Sequence, residues 1–296
     1  MNTHLLGDAR RWRHYALAPA VAIYLLLTVL PIANLLAMSL SDIKWEGGAA
    51  QWRFAGLAHY AEIGHDHLIR AGLFNTVLFA LGAVALEMLI GFFLALLVSR
   101  VVSGRVAYRT IFLLPILIPG IVIGAIWKLM YNPDFGVINQ LLGLAGIAGR
   151  DWLGEKSWAL AAVVAVDIWH WTPFVFLLLL AAIETLPQEV FEAARVDGAS
   201  AWQELRHVTL PMLWPAIAVT LLFRLIVSFK VFDEVYLLTG GGPGTATEVL
   251  SFTIYRRFFT EDRMGYGSAI SVVTLFVLAL LILFALYGSR RLNREA

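Results

Sequence analysis

The composition of this 296-residue chain excludes an ordinary soluble protein, because 60% of its residues are hydrophobic and only 15% are charged. Soluble domains are about 45–50% apolar and about 25% charged, so much of this surface has to be solvated by lipid. A net charge of +1 argues against nucleic acid as a partner, and the lack of cysteine excludes disulfides, iron–sulfur clusters and thiolate catalysis.

Six apolar stretches are long enough, or nearly so, to cross a hydrocarbon core of about 30 Å, which takes about 20 residues. They cover residues 15–41, 71–99, 110–131, 157–183, 211–232 and 265–289. The first is too long for the apolar part of a cleaved signal peptide, and the fifth is interrupted by Arg224 and Lys230. We therefore predict an all-α membrane protein with one six-span domain over residues 15–289, flanked by tails over 1–14 and 290–296.

The short basic flanks indicate the orientation of these spans. An even number of spans places both termini on one side, and short cytoplasmic segments carry an excess of Lys and Arg. Three such segments share this feature, with Arg10, Arg11 and Arg13, then Arg100, Arg105 and Arg109, then Arg290, Arg291 and Arg294. We predict that both termini are cytoplasmic.

The fourth connection, residues 184–210, is cytoplasmic by this count, yet it holds five acidic residues against Arg195 and Arg206. Its pattern predicts two short helices separated by a sharp turn. Pro187 suits the first helical position, and Gly198 can end the first helix at positive φ. Ser200 with Gln203 forms a capping-box pattern that starts the second helix.

The first of these two helices presents a narrow face of small side chains. Val190, Ala193 and Ala194 form this face, whereas Glu192 and Arg195 are spaced so that they can pair with each other. An amphipathic segment lying on the membrane surface is the alternative, but such segments are normally basic. An acidic helix beside an anionic leaflet favours a protein partner.

The same loop carries a family resemblance. Glu192-Ala193-Ala194, Gly198 and Val208-Thr209-Leu210-Pro211 match the motif E-A-A-x3-G-x9-I-x-L-P, with Val208 in place of Ile. This motif resembles the hallmark loop of permease subunits of bacterial ATP-binding-cassette importers. Further segments are similar to the carbohydrate branch of that family, which includes maltose and glycerol-3-phosphate permeases: Asn75-Thr76, Arg109 to Pro115, Trp127, Asn132 to Gly136, Asn139, Trp152 to Gly154, Asp167 to Trp169, and Thr239 to Pro243.

The resemblance implies a type I importer permease fold, also called MetI-like, in the bacterial inner membrane. It implies that a second homologous permease subunit, two ATP-binding subunits and an extracytoplasmic solute-binding protein are the partners. In this family Glu192 is the expected polar contact to the ATPase, Ala193 and Ala194 the close-packing positions, and Gly198 the turn. No phosphate-binding loop occurs in the chain, so we expect it to be no enzyme and to bind no cofactor, with ATP and Mg acting on the partner subunits.

Polar residues inside the spans are costly and therefore mark candidate sites. Asp167, Trp169, His170, Trp171 and Phe174 lie in the fourth span. Asp167 lies about ten residues, or about 15 Å, from the start of the span at Ser157. Indole rings stack on the C–H faces of sugars, and a carboxylate accepts hydrogen bonds from hydroxyl groups. We predict that these residues bind a sugar, the alternative being an aromatic belt at the outer interface.

A second set, Lys230, Asp233 and Glu234, lies at the outer end of the fifth span. The two interpretations are a lining of the solute path, as in related permeases, and a salt-bridged helix end. Glu87 is expected to pair with a neighbouring helix or with the sister subunit, and Arg224 and Lys230 are spaced so that they need separate partners. His59, His65 and His67 share the first outer loop without a metal-binding motif, so we predict no metal site.

These observations favour an importer permease that moves a sugar or sugar derivative by alternating access. The alternative from a different class is a proton-coupled secondary transporter that uses Asp167 and His170 as a proton relay. The lack of an internal repeat and the form of the fourth connection argue against it. An intramembrane enzyme would need a nucleophile–base or metal pattern, which the spans lack.

Overall fold

The structure is a computed structural model that describes residues 4–100 and 105–295, with side chains over 15–100 and 107–284. The ends of both predicted tails, residues 1–3 and 296, lie outside it. Most of the arginines that indicate the orientation also have side chains outside it: Arg10, Arg11, Arg13, Arg105, Arg290, Arg291 and Arg294.

The described chain is predominantly helical, and we number its elements in chain order. The first five are α1 (His4–Ser39), β1 (Ser41–Glu46), β2 (Ala49–Phe54), α2 (Ala58–Ile63) and α3 (His67–Ser99). The next four are α4 (Arg105–Leu113), α5 (Gly120–Met130), α6 (Val137–Leu144) and α7 (Ala159–Glu184). The last six are α8 (Gln188–Val196), α9 (Ala201–Glu204), α10 (Leu210–Ser228), α11 (Asp233–Leu238), α12 (Leu250–Tyr255) and α13 (Met264–Glu295).

Five helical stretches of the described chain are long and apolar enough to cross a membrane. They are Tyr15–Ser39, His67–Ser99, Ala159–Glu184, Ala201–Leu238 and Met264–Phe284. They overlap five of the six stretches predicted from hydropathy. The fourth of them is a composite, in which a π-helical turn over Leu205–Thr209 joins α9 to α10.

The third predicted span, residues 110–131, is not one continuous helix. It consists of the end of α4, a 3₁₀ turn over Pro115–Leu117 and the 11-residue helix α5. Pro115 and Pro119 lack the backbone N–H that a continuing helix needs, and Pro119 favours the extended conformation found at Ile118, with φ of −88° and ψ of 128°. Six membrane crossings therefore stay a prediction, with this segment as the broken member.

The chain divides into two compact units. The first comprises the residues up to His65 together with Ile254–Val277. Within it, Arg263 donates to both carboxylate oxygens of Glu62, at 2.8 and 2.6 Å, and lies 4.2 Å from the ring of Tyr266. The hydrogen bonds to Glu62 raise the pKa of the Arg263 guanidinium above its ordinary value.

The second unit comprises Asp66–Thr253 and the residues from Leu278 onward. Its best-packed pair of helices is α3 and α7, and a core of Ala95, Val98, Val175, Phe176, Leu179 and Leu180 lies there. Gly91 permits this contact, because a Cβ at that position would lie 2.7 Å from the side chain of Val175. Close approach through small residues is the usual way in which membrane helices gain packing energy.

Several motif residues that carry the family resemblance hold connections in place. Asn75 donates to the carbonyl oxygens of Thr245 and Glu248 at 2.8 and 2.9 Å. Asn139 donates to the carbonyl oxygen of Arg150 and accepts from the indole N–H of Trp152 at 2.8 Å. Their side chains satisfy buried backbone groups that would otherwise lack partners, which is a structural role.

Candidate solute cavity and coupling segment

A cavity of about 340 Å³ lies where the middle of α7 meets the end of α10 and the start of α11. Six residues that the sequence predicts as site residues line it: Asp167, His170, Trp171, Lys230, Asp233 and Glu234. The first three come from α7 and the last three from the α10–α11 junction. The two predicted sets, which are more than 55 residues apart in sequence, thus share one cavity.

A buried ion-pair network underlies this cavity. Arg224, which is fully buried, donates through Nε and Nη2 to the two carboxylate oxygens of Glu87, at 2.5 and 2.7 Å. The same Nη2 lies 3.0 Å from Oδ2 of Asp167. The fork geometry of a guanidinium matches a carboxylate in this bidentate way. We name Glu87, Arg224 and Asp167 the α3–α7–α10 network, after the three helices that it joins.

The sequence did not identify the partners of Glu87 and Arg224. The structure shows that the two residues pair with each other within this chain. A lone arginine in an apolar helix needs a carboxylate, and Glu87 and Asp167 are the acidic residues within the second and fourth predicted spans. One arginine and two carboxylates within the apolar spans are therefore the sequence signal for the network. Because of this network, one carboxylate oxygen of Asp167 already accepts a hydrogen bond from Arg224.

His170 and Glu234 form a second buried contact at the cavity wall. Nδ1 of His170 lies 3.2 Å from Oε1 of Glu234, and the two side chains are 8% and 7% exposed. Glu234 therefore bonds to a residue on α7. Lys230 and Asp233 are exposed and also line the cavity.

The predicted aromatic residues divide into one that lines the cavity and two that do not. The ring of Trp171 covers the guanidinium of Arg224, with Cζ at 4.5 Å from the ring centre. Phe174 stacks on Phe223 at 4.8 Å, and Trp169, 40% exposed, packs edge-on against Trp127 at 5.6 Å. Solute contacts from Trp169 and Phe174 stay a prediction that this cavity does not account for.

Carboxyl groups outnumber permanent cations around the cavity. Four carboxylates belong to the lining and the network beneath it (Glu87, Asp167, Asp233 and Glu234), against two permanent cations, Arg224 and Lys230. Arg224 is already shared between Glu87 and Asp167.

The fourth connection has the geometry that its sequence predicts. Helix α8 begins after Pro187, which is the N-cap rather than the first helical residue, and Gly198 has φ of +80°. Ser200 accepts a hydrogen bond from the backbone N–H of Gln203, whose side chain accepts from the backbone N–H of Ser200. The predicted turn and the capping box are therefore both present.

The surface of α8 differs from the prediction in one pairing. Arg195 donates to Glu204 at 3.1 Å, which ties α8 to α9, whereas the sequence suggested Glu192 as its partner. The longer-range pair forms because the turn at Gly198 folds α9 back beside α8. Glu192 and Ala193 are exposed, and Ala194 is half-buried.

The C-terminal end of α7 is linked to α4 as well as to α8. Glu184, the last residue of α7, accepts a hydrogen bond from Arg109 of α4. Only three residues separate Glu184 from the start of α8. The helix that carries Asp167 and His170 is therefore joined to α8 by a short connection.

Comparison with known proteins places the chain in a family. A model of that family, described as the binding-protein-dependent transport system inner membrane component, matches residues 87–294. The chain belongs to this family. The permease protein MalF of the trehalose/maltose transport system of Thermococcus litoralis is 37% identical, over 88% of each chain. SmoG, the sulfoquinovosyl glycerol permease protein of Agrobacterium fabrum, is 35% identical over 94% of this chain and 89% of that one.

A solved structure shows the same fold over the full length. One chain of a bacterial alginate ABC transporter, solved in complex with a periplasmic protein carrying an alginate pentasaccharide, matches with a TM-score of 0.84 and 26% identity, covering 98% of each chain. The predicted all-α fold of importer permeases is confirmed by this match, and so is the predicted family.

Proposed function

We propose that the chain is the membrane-spanning permease subunit of an ATP-driven importer that carries a sugar or sugar derivative into the cytoplasm. The observation that carries the proposal is the exposed helix α8, which presents Glu192 and Ala193 and ends at Gly198 in a conformation suited to glycine. A helix that is exposed on its small-residue face and tied to α7 and α9 at its ends suits docking in a groove of another protein.

The partners follow from the family membership. A second homologous permease subunit completes the pathway as a heterodimer, two ATP-binding subunits supply the hydrolysis, and an extracytoplasmic binding protein delivers the solute. Relatives with sugar-transport names and the alginate transporter complex support this arrangement. Both termini lie in the cytoplasm, so that α8 faces the ATP-binding subunits.

The mechanism is alternating access. Closure of the ATP-binding subunits on ATP moves α8, and the pair of Arg195 with Glu204 makes α8 and α9 move together. Helix α7 transmits this movement to the cavity, because its last residue lies beside α8 and its middle carries Asp167 and His170. The cavity turns outward to accept solute and inward after hydrolysis, as in other domain-rocking transitions.

The lining supports a neutral sugar as the solute. The side chain of Trp171 offers an indole face, and the carboxylates of Asp233 and Glu234 accept hydrogen bonds from hydroxyl groups. The carboxylates of Asp233 and Glu234 disfavour a phosphate ester. Lys230 and His170 supply the donors that a sugar oxygen needs.

The energy source separates this proposal from a proton-coupled transporter, which the buried contact between His170 and Glu234 would otherwise favour. In proteoliposomes that hold the assembled transporter and its binding protein, we expect uptake to require ATP on the α8 side. Collapse of the proton gradient with an ionophore should leave the uptake rate unchanged. Uptake that follows the proton gradient and persists without ATP would overturn the proposal in favour of the relay.

The role of the cavity is tested by filling it. Gly120 lines the cavity beside Asp233, whose Oδ2 lies 2.9 Å from the position of a Cβ at Gly120. Gly120→Leu should reduce solute uptake at least about tenfold, because the side chain occupies solute space, while the partner subunits still hydrolyse ATP. The measurements are radiolabelled sugar uptake and phosphate release in the same proteoliposomes.

Gly143 provides the matched control for this variant. It also lies in a helix, α6, and a Cβ there would have no atom within 4 Å. Gly143→Leu makes the same change of a helical glycine to leucine and should retain uptake. Equal uptake by the two variants would mean that the solute passes elsewhere.

A further inference from the structure

The hairpin formed by β1 and β2 has two chemically different faces. The strands pair antiparallel, with Ile43 opposite Trp52 and Trp45 opposite Ala50, and Gly47 and Gly48 form the two-residue turn at positive φ. Side chains alternate between the faces of a strand, and directly paired residues share a face. One face therefore carries Ser41, Ile43, Trp45, Ala50, Trp52 and Phe54, and the other Asp42, Lys44, Glu46, Ala49, Gln51 and Arg53.

The first of these faces, which we name the aromatic face, is unusually exposed. Trp45, Trp52 and Phe54 are 56%, 51% and 78% exposed, and Leu57, three residues beyond β2, is 71% exposed. Only Ile43, near the base of the hairpin, is buried on this face. Adjacent large apolar side chains left in water cost roughly 25 cal/mol per Å² of surface, so such a patch marks a contact surface.

The hairpin is fixed at the end of a helix that is long enough to span a bilayer. The apolar part of α1, Tyr15–Ser39, has 25 residues. At 1.5 Å per residue it is about 37 Å long, which exceeds a hydrocarbon core of about 30 Å. Its C-terminal end therefore reaches the headgroup layer.

Short hydrogen bonds connect the base of the hairpin to that end. The carbonyl oxygen of Leu40 accepts from the backbone N–H groups of Ala55 and Gly56 at 2.8 and 3.1 Å. The Ser41 hydroxyl donates to the carbonyl oxygen of Ala37 at 2.9 Å. The hairpin thus starts at headgroup level, and its strands of six residues reach about 20 Å from there.

The charges of the opposite face indicate which kind of membrane surface it tolerates. Asp42 and Glu46 balance Lys44 and Arg53, so the hairpin has no net attraction to anionic lipids. Tryptophan prefers the membrane–water interface because its ring is apolar and its N–H is polar. A neutral ribbon with two tryptophans on one face fits a lipid headgroup layer of any charge.

We infer that the β1–β2 hairpin is a membrane-interface ribbon, with its aromatic face against the lipid headgroup layer in which α1 ends and its charged face toward water. The ribbon holds the end of α1 at a set depth while the rest of the transporter changes conformation. Pairing of the aromatic face with the solute-binding protein or with the sister subunit is the competing occupancy.

The absence of cysteine from the chain makes a direct test possible. Single cysteines at neighbouring positions of β2, Trp52→Cys on the aromatic face and Gln51→Cys on the charged face, are labelled with an environment-sensitive fluorophore. The label is read in the assembled transporter, with partner cysteines removed, in phosphatidylcholine nanodiscs. Quenching by headgroup-level nitroxide lipid is compared with quenching by aqueous iodide.

We expect the label at position 52 to be quenched several-fold more by the lipid nitroxide than by iodide, and the label at position 51 to show the reverse. Trp45→Cys and Lys44→Cys on β1 form a second pair, should one variant fold poorly. Replacing half of the phosphatidylcholine with phosphatidylglycerol should change neither result.

Three outcomes would overturn the inference. Equal iodide quenching at positions 51 and 52 would leave the hairpin free in water. Protection of position 52 from both quenchers would place it against another subunit. A loss of iodide quenching at position 52 only when the binding protein is added would make the aromatic face that protein's docking surface.

Discussion

Replacing Gly198 by valine should cut solute uptake about tenfold or more while the transporter still assembles. Gly198 has φ of +80°, and nothing lies within 4 Å of a Cβ built there, so the substitution acts through the backbone and not through a clash. A residue other than glycine in this region costs about 1–2 kcal/mol, and β-branching adds to that. The turn would then populate other conformations, in which α8 no longer presents Glu192 correctly. Uptake and ATP hydrolysis in proteoliposomes measure the loss of coupling.

Gly146 offers a control with the same local geometry at a different place. Its φ is +72°, and a Cβ there also meets nothing within 4 Å, but it lies after α6, away from α8 in sequence. Gly146→Val should carry a similar strain and retain uptake. Gly198→Asn should be milder than Gly198→Val, because asparagine tolerates this conformation. If Gly146→Val lost as much uptake as Gly198→Val, general destabilisation would explain both and the coupling role would be wrong.

The structure of the fourth connection could be predicted from the sequence because it is local. The positive φ at Gly198 and the capping box of Ser200 with Gln203 depend on residues within five positions of one another. The helix ends follow from proline, glycine and serine preferences that hold in most contexts. What failed here was the one longer pairing, between Arg195 and Glu204, which depends on how the turn folds back.

The pairing within the α3–α7–α10 network could not be predicted from hydrophobic periodicity, because its residues are far apart in the chain. Arg224 and Glu87 are separated by 137 positions and Arg224 and Asp167 by 57. Hydropathy records that each is polar in an apolar stretch but not which helices are neighbours. Charge balance narrows the choice, since a fully buried arginine needs carboxylates, yet the pairing itself is set by the packing of α3, α7 and α10.

Two other features, the break between α4 and α5 and the β1–β2 hairpin, are indicated by turn residues. A search for long apolar stretches does not detect them. The break between α4 and α5 contains Pro115 and Pro119, although hydropathy predicts one continuous apolar span there. The hairpin has a Gly47-Gly48 turn between two segments of alternating polarity, which is the usual pattern of a two-residue β-turn connection. Both show that turn residues have to be weighed before apolar length in the connections of a membrane protein.

Replacing Arg224 by methionine should destabilise the protein strongly. It removes the cation between Glu87 and Asp167 and leaves two carboxylates in a site where Arg224 and Glu87 are fully buried. Breaking a buried ion pair on one side costs about 3–5 kcal/mol, which is a large part of a typical free energy of unfolding of about 5–15 kcal/mol. We expect the melting temperature in detergent to be roughly 6–20 °C lower. Fluorescence-detected size exclusion after heating measures this temperature.

Lys230→Met is the matched control, since it removes a cation from an exposed position six residues further on and should leave the melting temperature nearly unchanged. A triple variant, Glu87→Gln with Asp167→Asn and Arg224→Met, removes the whole network at similar volume. Because neutral replacement of all partners avoids the stranded charge, it should recover most of the lost stability. A triple variant as unstable as Arg224→Met would show that the loss comes from packing of the guanidinium against Trp171. Recovery would instead show that the charges of the α3–α7–α10 network must match, and that Asp167 is held beside the cavity by this requirement.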